Sequence, residues 1–180
     1  MLNYLKKKLN NKALFLDRDG VINFDYGYVY RKEDFKFRPE IFNICKSALK
    51  KNFKIIIITN QSGIGQNLFS ERDFKLLNEY MLSKFRDNEI EVTHIYFCPY
   101  HPTKGKGKYL ANSYLRKPNP GMFFEAAKDY SINLSKSIMI GDNRIDYEAA
   151  INANIKYFID ATRKNWEKNS IKIINNSKDI

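Results

Sequence analysis

Four isoleucines in a row, Ile55 to Ile58, run into Thr59 without a polar interruption. An unbroken β-branched run reads as a parallel strand covered on both faces, because a strand with one wet face would alternate. The flanking segments alternate between strand-like and helix-like patterns. Ala13 to Leu16 is a short apolar run, and a polar, aromatic stretch with Tyr26, Gly27, Tyr28 and Tyr30 follows it. A helical pattern then spans Pro39 to Asn52. Ser70 opens a long amphipathic helix with Phe74, Leu77, Tyr80, Met81 and Phe85 at helical spacing. Val92 to Phe97 is a third strand, Pro118 to Tyr130 a helix, Ser137 to Ile140 a fourth strand, Ile145 to Asn152 a short helix and Ile155 to Ile159 a fifth strand. Ile171 to Ile174 adds an edge strand. The pattern predicts one α/β domain over residues 1–180, a Rossmann-like parallel sheet with helices on both faces. There is no internal repeat, low-complexity tract or linker.

Open α/β sheets hold ligands beyond the C-terminal ends of their strands, and four polar groupings fall at such ends. The first is Asp17-Arg18-Asp19-Gly20, directly after Ala-Leu-Phe-Leu. Two close acids can divide the work of nucleophile and proton donor if a cation offsets their repulsion. The same four residues also suit a plain turn or the start of a calcium loop. A helix-loop-helix calcium site needs Glu at its twelfth position, which here is Tyr28, and follows a helix rather than a strand. That option falls away.

The second grouping is Thr59-Asn60-Gln61-Ser62-Gly63, whose hydroxyls and amides suit phosphate oxygens as well as an ordinary polar loop. The third, Arg116-Lys117-Pro118, brings two cations to a helix start. Lysine offers a compact charge for a phosphoryl group and arginine a fork for a second anion. The fourth, Gly141-Asp142 with Asp146 four residues on, supplies an acid able to join Asp17 around magnesium, a hard ion that takes few protein carboxylates. Asp146 reads equally as a helix cap or a catalytic group. Four modest signals at one kind of place point to one crevice.

Composition narrows the class. The chain has 180 residues, 43% of them hydrophobic and 14% aromatic, enough for one packed core and too apolar for disorder. No apolar run approaches the roughly 18 residues needed to span a membrane. The start, M-L-N-Y-L-K-K-K-L, lacks the pattern of a secretory signal, so a cytoplasmic protein is expected. Cys45 and Cys98 make no disulfide framework, and Cys45 falls at a core position. The net charge of +11 suits an anionic partner without naming it. Part of the excess sits in Lys6 to Lys8, in Lys50 with Lys51, and in Lys104, Lys106 and Lys108. The first two clusters read as solvated surface.

The motifs D-R-D-G-V-I-N, T-N-Q-S-G, R-K-P-N-P-G-M and G-D-N-R-I-D, in this order, resemble the haloacid dehalogenase superfamily of aspartate-nucleophile phosphotransferases. D-Y-G-Y at Asp25 to Tyr28 and C-P-Y-H-P at Cys98 to Pro102 are similar to its branch of heptose bisphosphate and histidinol-phosphate phosphatases. The resemblance spans about Lys12 to Ile159 and implies that superfamily's fold with a minimal cap. It implies that Asp17 forms an aspartyl-phosphate, that Asp19 protonates the leaving oxygen and then deprotonates water, and that Asp17, the Asp19 carbonyl and Asp142 bind magnesium. Thr59, Asn60 and Lys117 would hold the phosphoryl oxygens, with Gln61 and Ser62 in the same phosphate-binding loop. Asp25, Tyr26, Gly27 and Tyr28 would cover the sugar, and Arg116 would contact its distal end.

Zinc-bearing members of the branch carry C-x-H and a later C-x-C. Here Cys98 remains, but Tyr100 replaces the His, Ser113 and Leu115 replace the two Cys, and only a displaced His101 is nearby. A structural zinc needs four N or S ligands, so none is expected. Lys104, Lys106 and Lys108 lie in this altered loop, where anion contact and bland surface are equal readings. Asn143 stands where relatives often have Lys.

The implied reaction is magnesium-dependent removal of the C7 phosphate of a heptose 1,7-bisphosphate, in ADP- or GDP-heptose precursor synthesis for lipopolysaccharide or capsule. The implied partner is a small phosphorylated sugar, not a membrane or nucleic acid, and the small cap implies a monomer. Histidinol phosphate and a nucleic-acid 3′-phosphate are the alternative substrates. A phosphate-binding protein without turnover fits least, because Asp17, Asp19, Lys117 and Asp142 are all present.

Overall fold

The Ile55–Ile58 run forms the middle of a strand in the computed structural model, which describes residues 11–177. Five strands, β1 (Lys12–Leu16), β2 (Phe53–Asn60), β3 (Val92–Cys98), β4 (Ile138–Gly141) and β5 (Tyr157–Asp160), make one sheet in the order β3-β2-β1-β4-β5. Every pairing is parallel. Parallel strands need crossovers, and helices supply them: α1 (Glu40–Leu49), α2 (Ser62–Gly65), α3 (Glu71–Asp87), α4 (Gly121–Tyr130) and α5 (Arg144–Asn152), with α6 (Trp166–Asn175) after the last strand.

Alternate strand residues enter opposite layers. Ile55 and Ile57, with Leu14, Leu16, Ile138 and Ile140, pack against Ile41 and Ile44 of α1, Met81 and Phe85 of α3, and Ile174 of α6. Ile56 and Ile58, with Ala13, Phe15 and Met139, pack against Met122 and Phe123 of α4 and Ala149 of α5. The isoleucine run is therefore split between two cores, which is why no position in it is polar. Register places Leu14 between Ile55 and Ile138, so β1 and β4 end within one residue of each other, while β2 runs on three residues further to Asn60.

Local signals set most element ends. Ser70 caps α3 reciprocally with Asp73. At the end of α5, Asn154 takes φ +59° and the Ile155 N–H donates to the Ala150 carbonyl. This closure uses Ile155, and β5 begins at Tyr157 rather than at the expected Ile155. Helix α4 begins at Gly121 rather than Pro118, because the Lys117 N–H and C=O are both bonded to the Asn60 side chain.

The expected edge strand at Ile171–Ile174 is corrected: those residues lie within α6. Four residues of Ile-Lys-Ile-Ile fit either period. Extended back to Trp166 and Ser170, the buried positions recur every fourth residue and face α1 and the core. Cys45 and Cys98 are buried and free. No helix among the described residues is long and apolar enough to cross a membrane. Lys6 to Lys8 and the chain start lie outside the described residues.

Because Ile174 is buried and Lys172 exposed on the same helix, Ile174→Ala should lose about 2–4 kcal/mol in urea denaturation. Lys172→Ala should stay within about 0.5 kcal/mol of the parent. Equal costs at the two positions would contradict the helical assignment.

Candidate active site

The C-terminal tips of β1, β2 and β4 meet around a cavity of about 260 Å³. Pairing carries β1 one residue past Leu16, the Asp17 N–H donating to the Ile140 carbonyl at 3.0 Å. The chain then turns tightly: the Arg18 carbonyl accepts from the N–H groups of Val21, Ile22 and Asn23, and Gly20 sits at φ +83°. Glycine takes that conformation at little cost. A Cβ at Gly20 would also overlap the Asp142 carboxylate, so this glycine lets the β1 and β4 tips come together. Arg38 braces the turn from behind, donating from Nη1 to the carbonyls of Gly20 (2.6 Å) and Ala161 (3.1 Å), with its guanidinium over the Trp166 ring.

Asp17 and Asp19 leave the turn into different surroundings. Asp17 Oδ1 accepts the Arg18 N–H at 2.7 Å and faces Lys117 Nζ at 2.9 Å. Asp19 is gripped by three side chains. Its Oδ1 accepts from Arg18 and from Asn23 Nδ2 (3.0 Å), and its Oδ2 from Arg18 Nη2 (2.8 Å) and Gln61 Nε2 (3.0 Å). Arg18 is 1% exposed and also donates from Nη2 to the Val29 carbonyl at 2.7 Å.

Lys117 is 2% exposed. Its ammonium meets Asp17 Oδ1 at 2.9 Å, Asp146 Oδ1 at 2.6 Å and the Ile58 carbonyl at 2.9 Å. Of its two sequence readings Asp146 takes the helix cap, and it adds a contact that neither reading contained. It completes the α5 capping box by accepting the Asn143 N–H at Oδ2, and it holds Lys117 through Oδ1.

The electrostatics follow from this crowding. Burial pushes Asp17 up to about 8; Lys117 pulls against that, and the Asp146 and Asp19 carboxylates add to the rise. Burial, then the Asp146 carboxylate, push Asp142 up to about 6. Burial alone would lower Lys117, but Asp17 and Asp146 outweigh it and hold the ammonium above its ordinary value. Four carboxylates, Asp17, Asp19, Asp142 and Asp146, share two buried cations, Arg18 and Lys117. A divalent cation would neutralise the remainder.

The residues present fit magnesium. Ligand oxygens of Asp17, Asp142 and Asp146 lie within 4.8 Å of one another, an all-oxygen set of the kind this hard ion takes. Asp146 already spends both oxygens on Lys117 and Asn143, which leaves Asp17 and Asp142 as the available pair. The loop from Cys98 to Arg116 does not fit zinc. His101 Nδ1 accepts the N–H groups of Thr103 and Lys104, and Cys98 is buried beside Ser113. The loop is tied instead by the Tyr109 hydroxyl on Glu71 (2.6 Å), the Lys106 N–H on the Gly65 carbonyl (2.8 Å) and Tyr100 packed edge-on to Tyr109.

Most of the other expected site residues line the cavity. Thr59 is buried at its floor, and Asp25, Gly27, Tyr28 and Ser62 form its rim. The Asn60 amide makes two bonds of 3.0 Å to the Lys117 backbone and thereby fixes the lysine's direction of entry. Tyr26 is exposed, stacked on Phe24 outside the cavity. Arg116 is half-buried and donates to the Tyr100 carbonyl, also outside the lining. Sequence reasoning missed Arg18, Asn23 and Arg38. The middle residue of D-x-D had no pattern to mark it as buried.

A larger groove of about 500 Å³ between β5 and α6 contains Asp160 and Arg163, which are already paired with each other. It gathers no second acid.

A HAD-hydrolase-like family model matches residues 114–162, which carry Lys117, Asp142 and Asp146. Over 172 residues the chain is 40% identical to the D-glycero-alpha-D-manno-heptose-1,7-bisphosphate 7-phosphatase of Campylobacter jejuni, covering 96% of this chain and 95% of the relative. It is 44% identical to the D-glycero-beta-D-manno-heptose-1,7-bisphosphate 7-phosphatase of Helicobacter pylori, covering 81% of each. The crystal structure of D,D-heptose 1,7-bisphosphate phosphatase from B. bronchiseptica, complexed with magnesium and phosphate, superposes with a TM-score of 0.72 at 27% identity, over 81% of this chain and 78% of that one.

The raised carboxyls make the metal-free site sensitive to pH. Folded Asp142 and Asp17 keep their protons to about 6 and about 8, whereas the unfolded chain releases them near 3.8. Between those values the folded state binds more protons, so stability in EDTA should fall as pH rises from about 4 towards 8. Magnesium, which needs both carboxylates ionised, should bind more tightly at the upper end and release protons on binding. Denaturation in EDTA across this range and titration calorimetry in two buffers test both; a flat profile without proton release would contradict the arrangement.

Proposed function

The chain belongs to the D-glycero-D-manno-heptose-1,7-bisphosphate 7-phosphatase family of HAD-like hydrolases, and from that premise we propose that it removes the C7 phosphate of the heptose bisphosphate through an aspartyl-phosphate on Asp17. It is a phosphatase with the five-stranded parallel sheet of that family. The observation that carries the mechanism is the unequal treatment of its two leading acids. Asp17 Oδ1 is tied to Lys117 and the Arg18 N–H, while Asp19 is held apart by Arg18, Asn23 and Gln61.

Lys117 and the Arg18 N–H orient the Asp17 carboxylate, whose other oxygen attacks phosphorus as the bond to the C7 oxygen breaks. Asp19 gives its proton to that departing oxygen. It then takes a proton from the water that attacks the acyl phosphate, so that inorganic phosphate leaves and Asp17 is restored. Thr59 and Lys117 stabilise the phosphoryl oxygens from the cavity floor. Asp17, the Asp19 carbonyl and Asp142 would hold magnesium, which would supply the positive charge that an anionic nucleophile needs beside an anionic substrate. Asp25 to Tyr28 cover the sugar, and Arg116 meets its distal end.

This single domain acts as a cytoplasmic monomer that feeds ADP- or GDP-heptose synthesis for lipopolysaccharide or capsule. Purified protein should release phosphate from C7 of the heptose bisphosphate with magnesium and stop with EDTA. Asp17→Asn should lose at least about 100-fold in kcat, and full activity would remove Asp17 as nucleophile. Because relatives of nearly equal identity carry alpha and beta names, both anomers belong in the assay. Similar turnover of unrelated phosphates would count against the heptose assignment.

The loop from Cys98 to Arg116 works without structural zinc, because its tyrosine, backbone and His101 contacts occupy the place of a metal staple. Elemental analysis of protein purified without added metal should find no stoichiometric zinc, and a zinc-selective chelator should leave the melting temperature unchanged. One zinc per chain would overturn this.

A further inference from the structure

Gln61 stands at the β2 tip, where a polar side chain would be expected to meet substrate, but its amide turns inward. The residue is 3% exposed. Its Nε2 donates at 3.0 Å to Asp19 Oδ2 and at 2.9 Å to Thr59 Oγ1. Its backbone is fixed as well, with the N–H on the Cys98 carbonyl at 2.8 Å and the carbonyl accepting from Ile64. Both hydrogens of one amide group are therefore spent on two other site residues.

These bonds have directional consequences. Accepting an N–H from Gln61, the Thr59 oxygen must aim its own hydrogen elsewhere, and the cavity that Thr59 lines is the direction open to a phosphoryl oxygen. On the Asp19 side, Arg18 meets both carboxylate oxygens, Asn23 adds a bond to Oδ1 and Gln61 adds one to Oδ2. The plane of the carboxyl group is thus set by donors on both sides.

We propose that Gln61 is a positioning residue that aims the Asp19 carboxyl at the leaving oxygen and the Thr59 hydroxyl at the phosphoryl group, rather than a contact for the sugar. The assignment rests on Asp19 being the proton donor of the reaction described above. It predicts a fault that depends on how much the leaving group needs a proton. Misplaced general acids cost most for poor leaving groups and little for good ones.

The test is rapid-mixing measurement of phenol release from phenyl phosphate and p-nitrophenyl phosphate, with magnesium, for the parent, Gln61→Met and Gln61→Glu. Melting curves establish that each variant is folded; the isosteric Gln61→Glu stands in if the methionine variant is not. Phenyl phosphate should lose on the order of 10- to 100-fold in its first turnover, p-nitrophenyl phosphate much less, with KM little changed for either. Equal losses on both esters, a rise in KM at unchanged kcat, or no loss would each overturn the role. The aryl esters keep this separate from the substrate question: a parent active on them and inert on the heptose bisphosphate defeats the heptose reading alone. A parent inert on every ester defeats both.

Discussion

The buried ammonium of Lys117 is the interaction on which the site depends. Its three N–H donors meet three acceptors, Asp17 Oδ1 after β1, the Ile58 carbonyl in β2 and Asp146 Oδ1 in α5. One side chain thereby ties together segments from both neighbours of the central strand. Removing one partner of such a buried network typically costs about 3–5 kcal/mol, because the remaining charges stay buried without compensation. The Asn60 amide, locked onto the Lys117 backbone, brings the lysine in along one path. Helix α4 starts late for the same reason. The Lys117 backbone, just ahead of the expected first turn, is committed to Asn60 at the end of β2.

Close approach of the acids is the second requirement, and glycine supplies it twice. A Cβ at Gly20 would overlap Asp142, and one at Gly141 would overlap Asp146. Two small residues at two strand tips therefore allow the carboxylates to crowd. Burial raises the Asp17 and Asp142 carboxyls, and the crowded neighbouring carboxylates add to the rise. A site that is short of positive charge without its cation is a site prepared to receive one.

Strand β2 was readable because its burial on both faces leaves an unbroken β-branched run, and the α3 start because Ser70 and Asp73 spell a capping box. The placing of Asp17 and Asp142 at strand tips followed from the apolar runs before them, whereas Lys117 lies just ahead of α4, well past the end of β3. Partnerships between distant residues were not readable. Nothing near Arg18 announces that its guanidinium will be buried against Asp19 and the Val29 carbonyl. The pairing of Lys117 with Asp146 likewise joins two segments that are close only once β1 and β4 lie side by side. Helix α6 was misread for a local reason, since the window Ile171–Ile174 is shorter than one comparison of the two periods requires. Trp166 and Ser170 supply the missing turn.

The charge of the whole chain and the charge of the site point in opposite directions, and this bears on what enters. The chain carries +11, yet the cavity is lined by Asp17, Asp19, Asp25 and Asp142 against the single cation Lys117, with Arg18 paired to Asp19 and Asp146 to Lys117 behind the lining. A nucleic-acid strand is held by a continuous basic groove that follows its backbone, with bases stacked on aromatic side chains. Here the polyanion would meet acid at the point of chemistry. A cavity of about 260 Å³ lies near the lower end of the range for small-ligand sites. It suits one phosphoryl group and the carbon that bears it. The net positive charge of the chain can raise the rate at which any small anion arrives, and a divalent cation held by Asp17 and Asp142 would restore the local balance of charge for it. The size of the cavity thus favours a small phosphate monoester, independently of the sugar that lies beyond Tyr28.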